Sequence, residues 1–232
     1  LLPDAYKSIY EALGHAGIAN DARINIVKVD SEDLEKGKID RFFKNVQGVL
    51  VPGGFGHRGI EGKIRAIRFA RENDIPYFGI CLGMQLATVE FARNICGLKG
   101  ANSTEFEKNA KDPVISLLAE QHQITDMGAT MRLGAYPCRL VKDTRVQVAY
   151  KKEDILERHR HRYEFNNAYR EVLTSKGLVI SGVNPERDLV EVVEVRKHRW
   201  FLGCQFHPEF RSKPDKPHPL FRDFIAVALT VK

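Results

Sequence analysis

The chain has 232 residues, 43% hydrophobic and 28% charged, enough to bury about 70 to 75% of its unfolded surface in one core, so one domain over residues 1–232 suffices. A formal net charge of +6 implies mild attraction to anions such as a nucleotide or an acidic partner face, and little more. No apolar stretch of about 18 residues and no signal-peptide pattern occurs, which argues against membrane insertion and secretion; cysteines at 81, 96, 138 and 204, without a C-x-x-C pair or a histidine at ligand spacing, argue against a zinc site and for reduced thiols in a cytoplasmic setting.

Tyr6, Ile9, Leu13 and Ala16 recur at helical spacing, which predicts a helix ended by Gly17. Ile24-Asn25-Ile26-Val27-Lys28-Val29 then alternates as a strand does. After a charged stretch, a short apolar strand at Gly48 to Val51 runs into Pro52-Gly53-Gly54-Phe55-Gly56. Glycines let backbone N–H groups approach and point at an anion, which a tetrahedral oxyanion requires; from this segment alone a plain turn is the simpler reading. Gly54 to Gly59 also spells G-x-G-x-x-G ahead of a helix at Lys63 to Asn73. A dinucleotide site fits poorly, because the acidic residue needed about 20 positions on should end a second strand, whereas Glu72 and Asp74 close a helix. A phosphate-binding P-loop fails too, with His57 at its first glycine position and Ile64 in place of Ser or Thr.

Next comes Gly79-Ile80-Cys81-Leu82-Gly83, between an apolar β-prone run (Ile75 to Ile80) and a helix-forming run (Met84 to Cys96). A strand that turns abruptly into a helix strains its corner residue, and glycines two before and two after relieve the crowding. This predicts a thiol held up and exposed at a helix N-terminus, where the dipole favours a thiolate nucleophile. Taken alone, Cys81 reads equally well as a small buried hydrophobe.

After Gly97 the strand–helix alternation breaks. Ala101 to Gly134 reads as loop with short extended pieces, followed by strands near Cys138 to Val141 and Ile155 to Arg162 and a short helix near Asn167 to Leu173. Strands at Leu178 to Val183 and Leu189 to Val195 flank a turn at Asn184-Pro185, and Trp200 to Phe206 precedes a Pro-rich segment and a closing helix at Leu220 to Leu229. Period-2 geometry puts Arg158, Arg160 and Arg162 on one face and His159, His161 and Tyr163 on the other. A phosphate-binding stripe is conceivable there, but no aromatic run accompanies it and nucleic-acid binding is not favoured. At the carboxyl end of the Trp200–Phe206 run stands His207-Pro208-Glu209, where Glu209 can orient one imidazole nitrogen while the other faces a thiol. These elements predict an α/β fold with a mostly parallel central sheet flanked by helices, its active edge at the strand carboxyl ends, and additional strands in the second half.

Pro52-Gly53-Gly54-Phe55-Gly56, Gly79 to Gln85 and Gln205-Phe206-His207-Pro208-Glu209 resemble, in order, the three signatures of class I (triad-type) glutamine amidotransferases. Asn102 to Phe106, Thr130 to Gly134, Arg158 to Glu164 and the opening Leu2-Pro3-Asp4-Ala5-Tyr6 narrow the resemblance to the glutaminase domain of CTP synthases, over essentially the whole chain. The resemblance implies that Cys81 is the nucleophile of a triad with His207 and Glu209, that Gly53, Gly54, Phe55 and Leu82 supply oxyanion contacts, and that Gln85, Glu105 and Arg162 hold the amino-acid end of L-glutamine. Arg162 suits an α-carboxylate through its bidentate fork, and Glu105 suits an α-ammonium.

The resemblance further implies a partner synthetase domain, absent from this chain, that uses ATP, Mg and UTP to make CTP, with GTP as allosteric activator; no cofactor is implied for this domain itself. One departure stands out: Gly128-Ala129-Thr130 has alanine where the family has a second glycine, which bears on nucleotide activation more than on hydrolysis. Other readings remain open: the glutaminase subunit of another amidotransferase, a related thiol hydrolase that would not need Glu105 and Arg162, a silent binding module, or a basic nucleic-acid-binding domain.

Overall fold

A computed structural model describes residues 6–117 and 131–231. The opening Leu2-Pro3-Asp4-Ala5 and the Gly128-Ala129-Thr130 departure lie outside the described residues. The first segment contains α1 (Lys7–Ala19), α2 (Ser31–Lys36), β1 (Val49–Val51), α3 (Ile60–Glu72), β2 (Tyr77–Ile80), α4 (Leu82–Asn94), β3 (Ala101–Ser103) and β4 (Asp112–Ser116). The second contains β5 (Arg132–Leu140), α5 (Arg145–Tyr150), β6 (Asp154–His161), β7 (Glu164–Phe165), α6 (Arg170–Ser175), β8 (Leu178–Asn184), β9 (Leu189–Val195), β10 (Phe201–Cys204) and α7 (Pro219–Ala228).

Among the described residues, a seven-stranded sheet runs β1-β2-β10-β9-β8-β5-β6, and a smaller one β3-β4-β7. The α/β class and the extra strands of the second half are as the sequence predicts. The parallel part is narrower than the expected mostly parallel sheet: β1, β2 and β10 run parallel, while β9, β8, β5 and β6 add antiparallel. Connection type accounts for part of this: the crossover through α3 makes β1 and β2 parallel neighbours, whereas short returns between β8 and β9, between β9 and β10, and through the short α5 between β5 and β6 make antiparallel ones. Between β8 and β9, for example, the Asn184 side-chain oxygen accepts from the amides of Glu186 and Arg187 at 3.1 and 3.0 Å and reverses the chain.

The sheet separates two apolar layers. Ile64 and Ile67 of α3 and Met84 and Val89 of α4 belong to one; Ile9 and Leu13 of α1, Val146 of α5 and Leu220 and Phe221 of α7 belong to the other. Alternate side chains of β2 and β10 serve both: Tyr77 stacks on Phe201 at 4.4 Å in the first layer, and Phe78 meets Trp200 and Phe221 edge-on in the second. Helix α4 is buried from Leu82 to Ala92 because it packs against β2 and β10 of the large sheet and β3 and β4 of the small one. The polar residues buried with it are bonded: Gln85 to the Tyr163 carbonyl, Thr88 to the Met84 carbonyl and Glu90 to Arg71.

Two expectations need correction, and one helix was not expected. Ile24 to Val29 forms no strand: Ile24 and Val29 pack inward, Ile26 and Val27 stand exposed, and among the described residues β1 pairs with β2 alone. Alternation supplies a suitable face, but a ladder also needs a partner. Strand β5 begins at Arg132, inside the expected loop, and pairs with β6 from Arg132 opposite His161 to Arg139 opposite Asp154. Helix α5 escaped the sequence reading because it is only six residues long; Glu194 of β9 holds its start by accepting from the Arg145 and Val146 amides at 3.1 and 3.0 Å.

Candidate active site

The three parallel strands end side by side, and each carries one of the glycine- or histidine-bearing motifs past its carboxyl end. Cys81 turns the chain from β2 into α4 with φ 51° and ψ −101°, a left-handed conformation that costs energy for any residue but glycine. A Cβ on Gly79 would lie 2.7 Å from the Gly83 carbonyl carbon, and one on Gly83 would lie 2.2 Å from the Val51 carbonyl oxygen, so the corner closes only with glycine at both places. The Cys81 amide donates to the Cys204 carbonyl at 2.7 Å, which ties the corner to β10. The elbow is therefore as expected, but its thiol is not exposed. Cys81 is 3% accessible and lines a narrow cavity of about 70 Å³ with Gly54, Phe55, Gln85, Glu105, Met131, His161, Arg162 and Tyr163.

Beyond β10, His207 Nδ1 lies 2.7 Å from Glu209 Oε1, and both residues are buried. An Nδ1–H donated to the carboxylate leaves Nε2 for another task. Nε2 is buried with no hydrogen-bond partner in place, and the Cys81 side chain is close by, since both flank Gly53. Burial disfavours the imidazolium, but interaction with Cys81 and with Glu209 outweighs it and raises the His207 pKa to about 10. The β1 loop closes over this pair. A Cβ on Gly53 would be 2.7 Å from His207 Cε1 and 3.5 Å from Cys81 Cβ, and one on Gly54 would be 3.3 Å from Leu82 Cδ2. Leu82 opens α4, so its N–H has no acceptor within the helix.

On the cavity's far side, Glu105 Oε1 accepts from the Gly56 amide at 3.3 Å. Burial raises the Glu105 pKa, opposed by that hydrogen bond and by the charges of His57 and Arg162. Gln85 Nε2 donates to the Tyr163 carbonyl at 2.9 Å and to Gln205 Oε1 at 3.2 Å. Phe55, 60% exposed, lines the cavity, and the Arg160 guanidinium lies 5.8 Å from its ring centre. The structure thus gathers all ten candidates: Gly54, Phe55, Cys81, Gln85, Glu105 and Arg162 on the cavity wall, and Gly53, Leu82, His207 and Glu209 against the elbow. One face assignment changes. Arg158 and Arg160 are exposed and His159 and His161 buried, as period 2 predicts, but β6 ends at His161, so Arg162 turns into the cavity with His161 and Tyr163.

Residues 1–227 match the profile of the family Glutamine amidotransferase class-I. The chain belongs to the class I glutamine amidotransferase family. Among curated members, it is 59% identical over 228 residues to a CTP synthase of Carboxydothermus hydrogenoformans (98% of this chain, 43% of the relative) and 60% identical over 231 residues to one of Geobacter sulfurreducens (100% and 43%). It therefore spans about 43% of the length of these relatives. The solved glutaminase domain of Trypanosoma brucei CTPS, described with bound acivicin, superposes with a TM-score of 0.92 at 42% identity, covering 99% of this chain and 90% of that one. A glutamine amidotransferase of Thermotoga maritima shares the fold at TM-score 0.56 and 12% identity, covering 94% of this chain and 89% of that one.

In this amidotransferase chain the structure adds residues that the sequence reading passed over. Gln205 Nε2 lies 3.6 Å from Cys81 Sγ, and Phe210 stacks on the His207 ring at 5.4 Å. Behind the cavity, Arg132 of β5 bonds Glu164 of β7 at 3.1 Å and Glu191 of β9 at 2.8 Å, all three buried. His159 Nδ1 and His161 Nε2 meet at 2.8 Å beside them. His159, His161 and Glu191 bring metal-type ligand atoms within 4.8 Å of one another, but the imidazoles bond each other and Glu191 bonds Arg132, an arrangement of hydrogen bonds rather than a coordination shell. A signal existed in Leu189-Val190-Glu191-Val192-Val193-Glu194-Val195, where an acid inside an apolar strand implies a buried partner.

Two carboxyls sharing one buried guanidinium give a pH dependence. Burial raises Glu164 to about 8 and Glu191 to about 7, against the pull of Arg132. The folded state keeps protons that the unfolded chain releases above about pH 4.5, so this contribution weakens as pH rises through 7 to 8. His207 acts in the same direction, its contribution complete below about 6.5 and lost as pH climbs through about 10. Thermal melting followed across this range is expected to show Tm falling from about pH 6 to about pH 9, with Glu164→Gln flattening the lower part; a rising Tm would contradict the assignment.

Proposed function

We propose that this chain hydrolyses the side-chain amide of L-glutamine to glutamate and ammonia. The Cys81 thiolate attacks the amide carbon, and the oxyanion is met by N–H groups of the Gly53–Phe55 loop and of Leu82. His207, which holds a proton at neutral pH, gives it to the departing ammonia; a γ-glutamyl thioester stays on Cys81. His207 then takes a proton from water as it attacks the thioester, and glutamate leaves. Glu209 keeps the imidazole tautomer and stabilises its cation. Glu105 receives the α-ammonium, Arg162 the α-carboxylate, and Gln85 contributes to the same wall.

The observation that carries this reading is a cavity that sets a buried cysteine, backed by a histidine–carboxylate pair, opposite Glu105 and Arg162. The CTP synthase name of the relatives supports a partner synthetase domain as the destination of the ammonia; UTP as the acceptor there, ATP and Mg as what drives its amination, GTP as activator of the assembled enzyme and a cytoplasmic setting belong to the proposal. No described helix is long and apolar enough to cross a membrane.

Intact-mass labelling with a chloroketone analogue of glutamine tests the reading. One adduct is expected on Cys81, blocked by glutamine and lost in Cys81→Ala; labelling that glutamine does not slow would point to a related thiol hydrolase instead. Acivicin, bound in the trypanosomal relative, is a second probe. Glu209→Gln is expected to lower kcat about 10² to 10⁴-fold with little change in KM, because the amide no longer enforces the imidazole tautomer; unchanged turnover would reject the orienting role.

A further inference from the structure

A continuous line of hydrogen bonds runs from the interior to the Cys81 sulfur, and the direction of every bond in it can be derived. His161 Nδ1 lies 3.2 Å from the Tyr163 carbonyl, which can only accept, so His161 carries its proton on Nδ1. Burial holds His159 and His161 neutral, with His159 lowered to about 2 and His161 well below its usual range. His161 Nε2 therefore accepts, and His159 Nδ1–H donates to it at 2.8 Å. The same Tyr163 carbonyl accepts one proton of the Gln85 amide at 2.9 Å, and the second Gln85 proton goes to Gln205 Oε1 at 3.2 Å. With its oxygen so engaged, Gln205 turns its NH₂ toward Cys81 Sγ, 3.6 Å away.

We propose that Gln205 is a further catalytic residue, the donor that holds the Cys81 thiolate, and that His161 is a positioning residue that fixes the Gln205 amide through Tyr163 and Gln85. Gln205 is fully buried, and its backbone N–H donates to the Glu191 carbonyl at 2.8 Å, so the side chain has a fixed root. A hydrogen bond to a charged group in a dry site is stronger than one between neutral groups. An amide turned the other way would set its oxygen against the sulfur and oppose ionisation. The proposal rests on Cys81 as the reactive thiol, assigned above. Besides Gln205, the titratable or charged groups around that sulfur are His207 with Glu209 behind it, Cys204 of β10, and His161, Arg162 and Glu105 on the cavity wall.

The test is the pH profile of Cys81 alkylation by iodoacetamide, read at the Cys81 peptide so that the other cysteines do not interfere. In Gln205→Met the profile is expected to move to higher pH: alkylation falls about tenfold near pH 6, the size expected for one lost bond to a charged group, and is preserved near pH 9. His161→Phe is expected to move it less in the same direction, and His161→Asn, which restores a donor to the Tyr163 carbonyl, to move it back. A Gln205→Met profile that superposes on wild type, or one lowered equally at both pH values as by a packing defect, would overturn the proposal. Should the variants unfold, the Gln205 side-chain amide nitrogen and proton resonances of the wild type decide: they are expected to follow Cys81 ionisation and to stop doing so in Cys81→Ser, and resonances indifferent to it would overturn the proposal. Glutamine hydrolysis is not read in any arm, so a chain that alkylates as described yet leaves glutamine intact counts against the function above and not against this bond.

Discussion

Replacing Cys81 with serine is expected to reduce glutamine hydrolysis about 10⁴ to 10⁶-fold while leaving glutamine binding nearly intact. The loss has the size found when the nucleophile of a triad is removed, because histidine and its carboxylate act only through it. Serine is slightly smaller than cysteine and introduces no clash, and the left-handed corner at φ 51° is set by Gly79 and Gly83 rather than by the sulfur, so the elbow survives the exchange. Its hydroxyl, with a far higher pKa than a thiol, is not ionised by the neighbouring imidazole. Equilibrium dialysis with labelled glutamine, run beside an ammonia assay, separates the two effects; hydrolysis that survives in Cys81→Ser would remove Cys81 from the mechanism.

The second large effect is on stability. Arg132→Met is expected to destabilise the chain by about 3 to 5 kcal/mol near pH 9, where both of its carboxyl partners are ionised, the usual cost of removing one partner from a buried ion pair. Arg132 is the cation between Glu164 and Glu191, all three nearly inaccessible, and methionine fills much of the same space without the charge. The loss is expected to shrink near pH 5, where both carboxyls keep their protons and need no counterion, since burial has already raised them to about 8 and about 7. Arg132→Lys restores only part, because an ammonium cannot offer two carboxyls the planar fork that a guanidinium does. Denaturant titrations at the two pH values measure this. A pH-independent loss would mean that packing, and not charge, explains the effect.

What the sequence made legible were the features that lie within a few residues of one another. Gly79-Ile80-Cys81-Leu82-Gly83 encodes a corner by local sterics alone, and His207 and Glu209 meet across a single proline, so the elbow and the imidazole–carboxylate pair follow from short-range chemistry. Glu105 and Arg162 were placed by family resemblance, and the fold sets them on one cavity wall although 57 positions separate them (162 minus 105). The buried cluster was invisible for the opposite reason. Arg132, Glu164 and Glu191 come from three strands, and only the register that sets Arg132 opposite His161 brings the imidazoles near them.

The exposed thiol expected at Cys81 fails for a related reason. Corner geometry fixes the backbone, but the accessibility of the sulfur depends on the β1 loop and the β6–β7 turn, which arrive from distant parts of the chain and wall it in. Ile24 to Val29 carries a similar lesson at the level of the fold, since its alternation is genuine and no described strand pairs with it. Gln205 shows how a residue inside a quoted motif can escape notice. It precedes the histidine that draws attention, and its role depends on the Gln85 amide 120 positions earlier (205 minus 85).

The most direct test is to quench the protein in acid during turnover of glutamine and to read the intact mass, then the modified peptide. The account predicts a single γ-glutamyl group on Cys81, absent from Cys81→Ala and accumulating when Glu209→Gln slows its hydrolysis. Turnover that continues in Cys81→Ala, or a glutamyl group carried on any other residue, would contradict it.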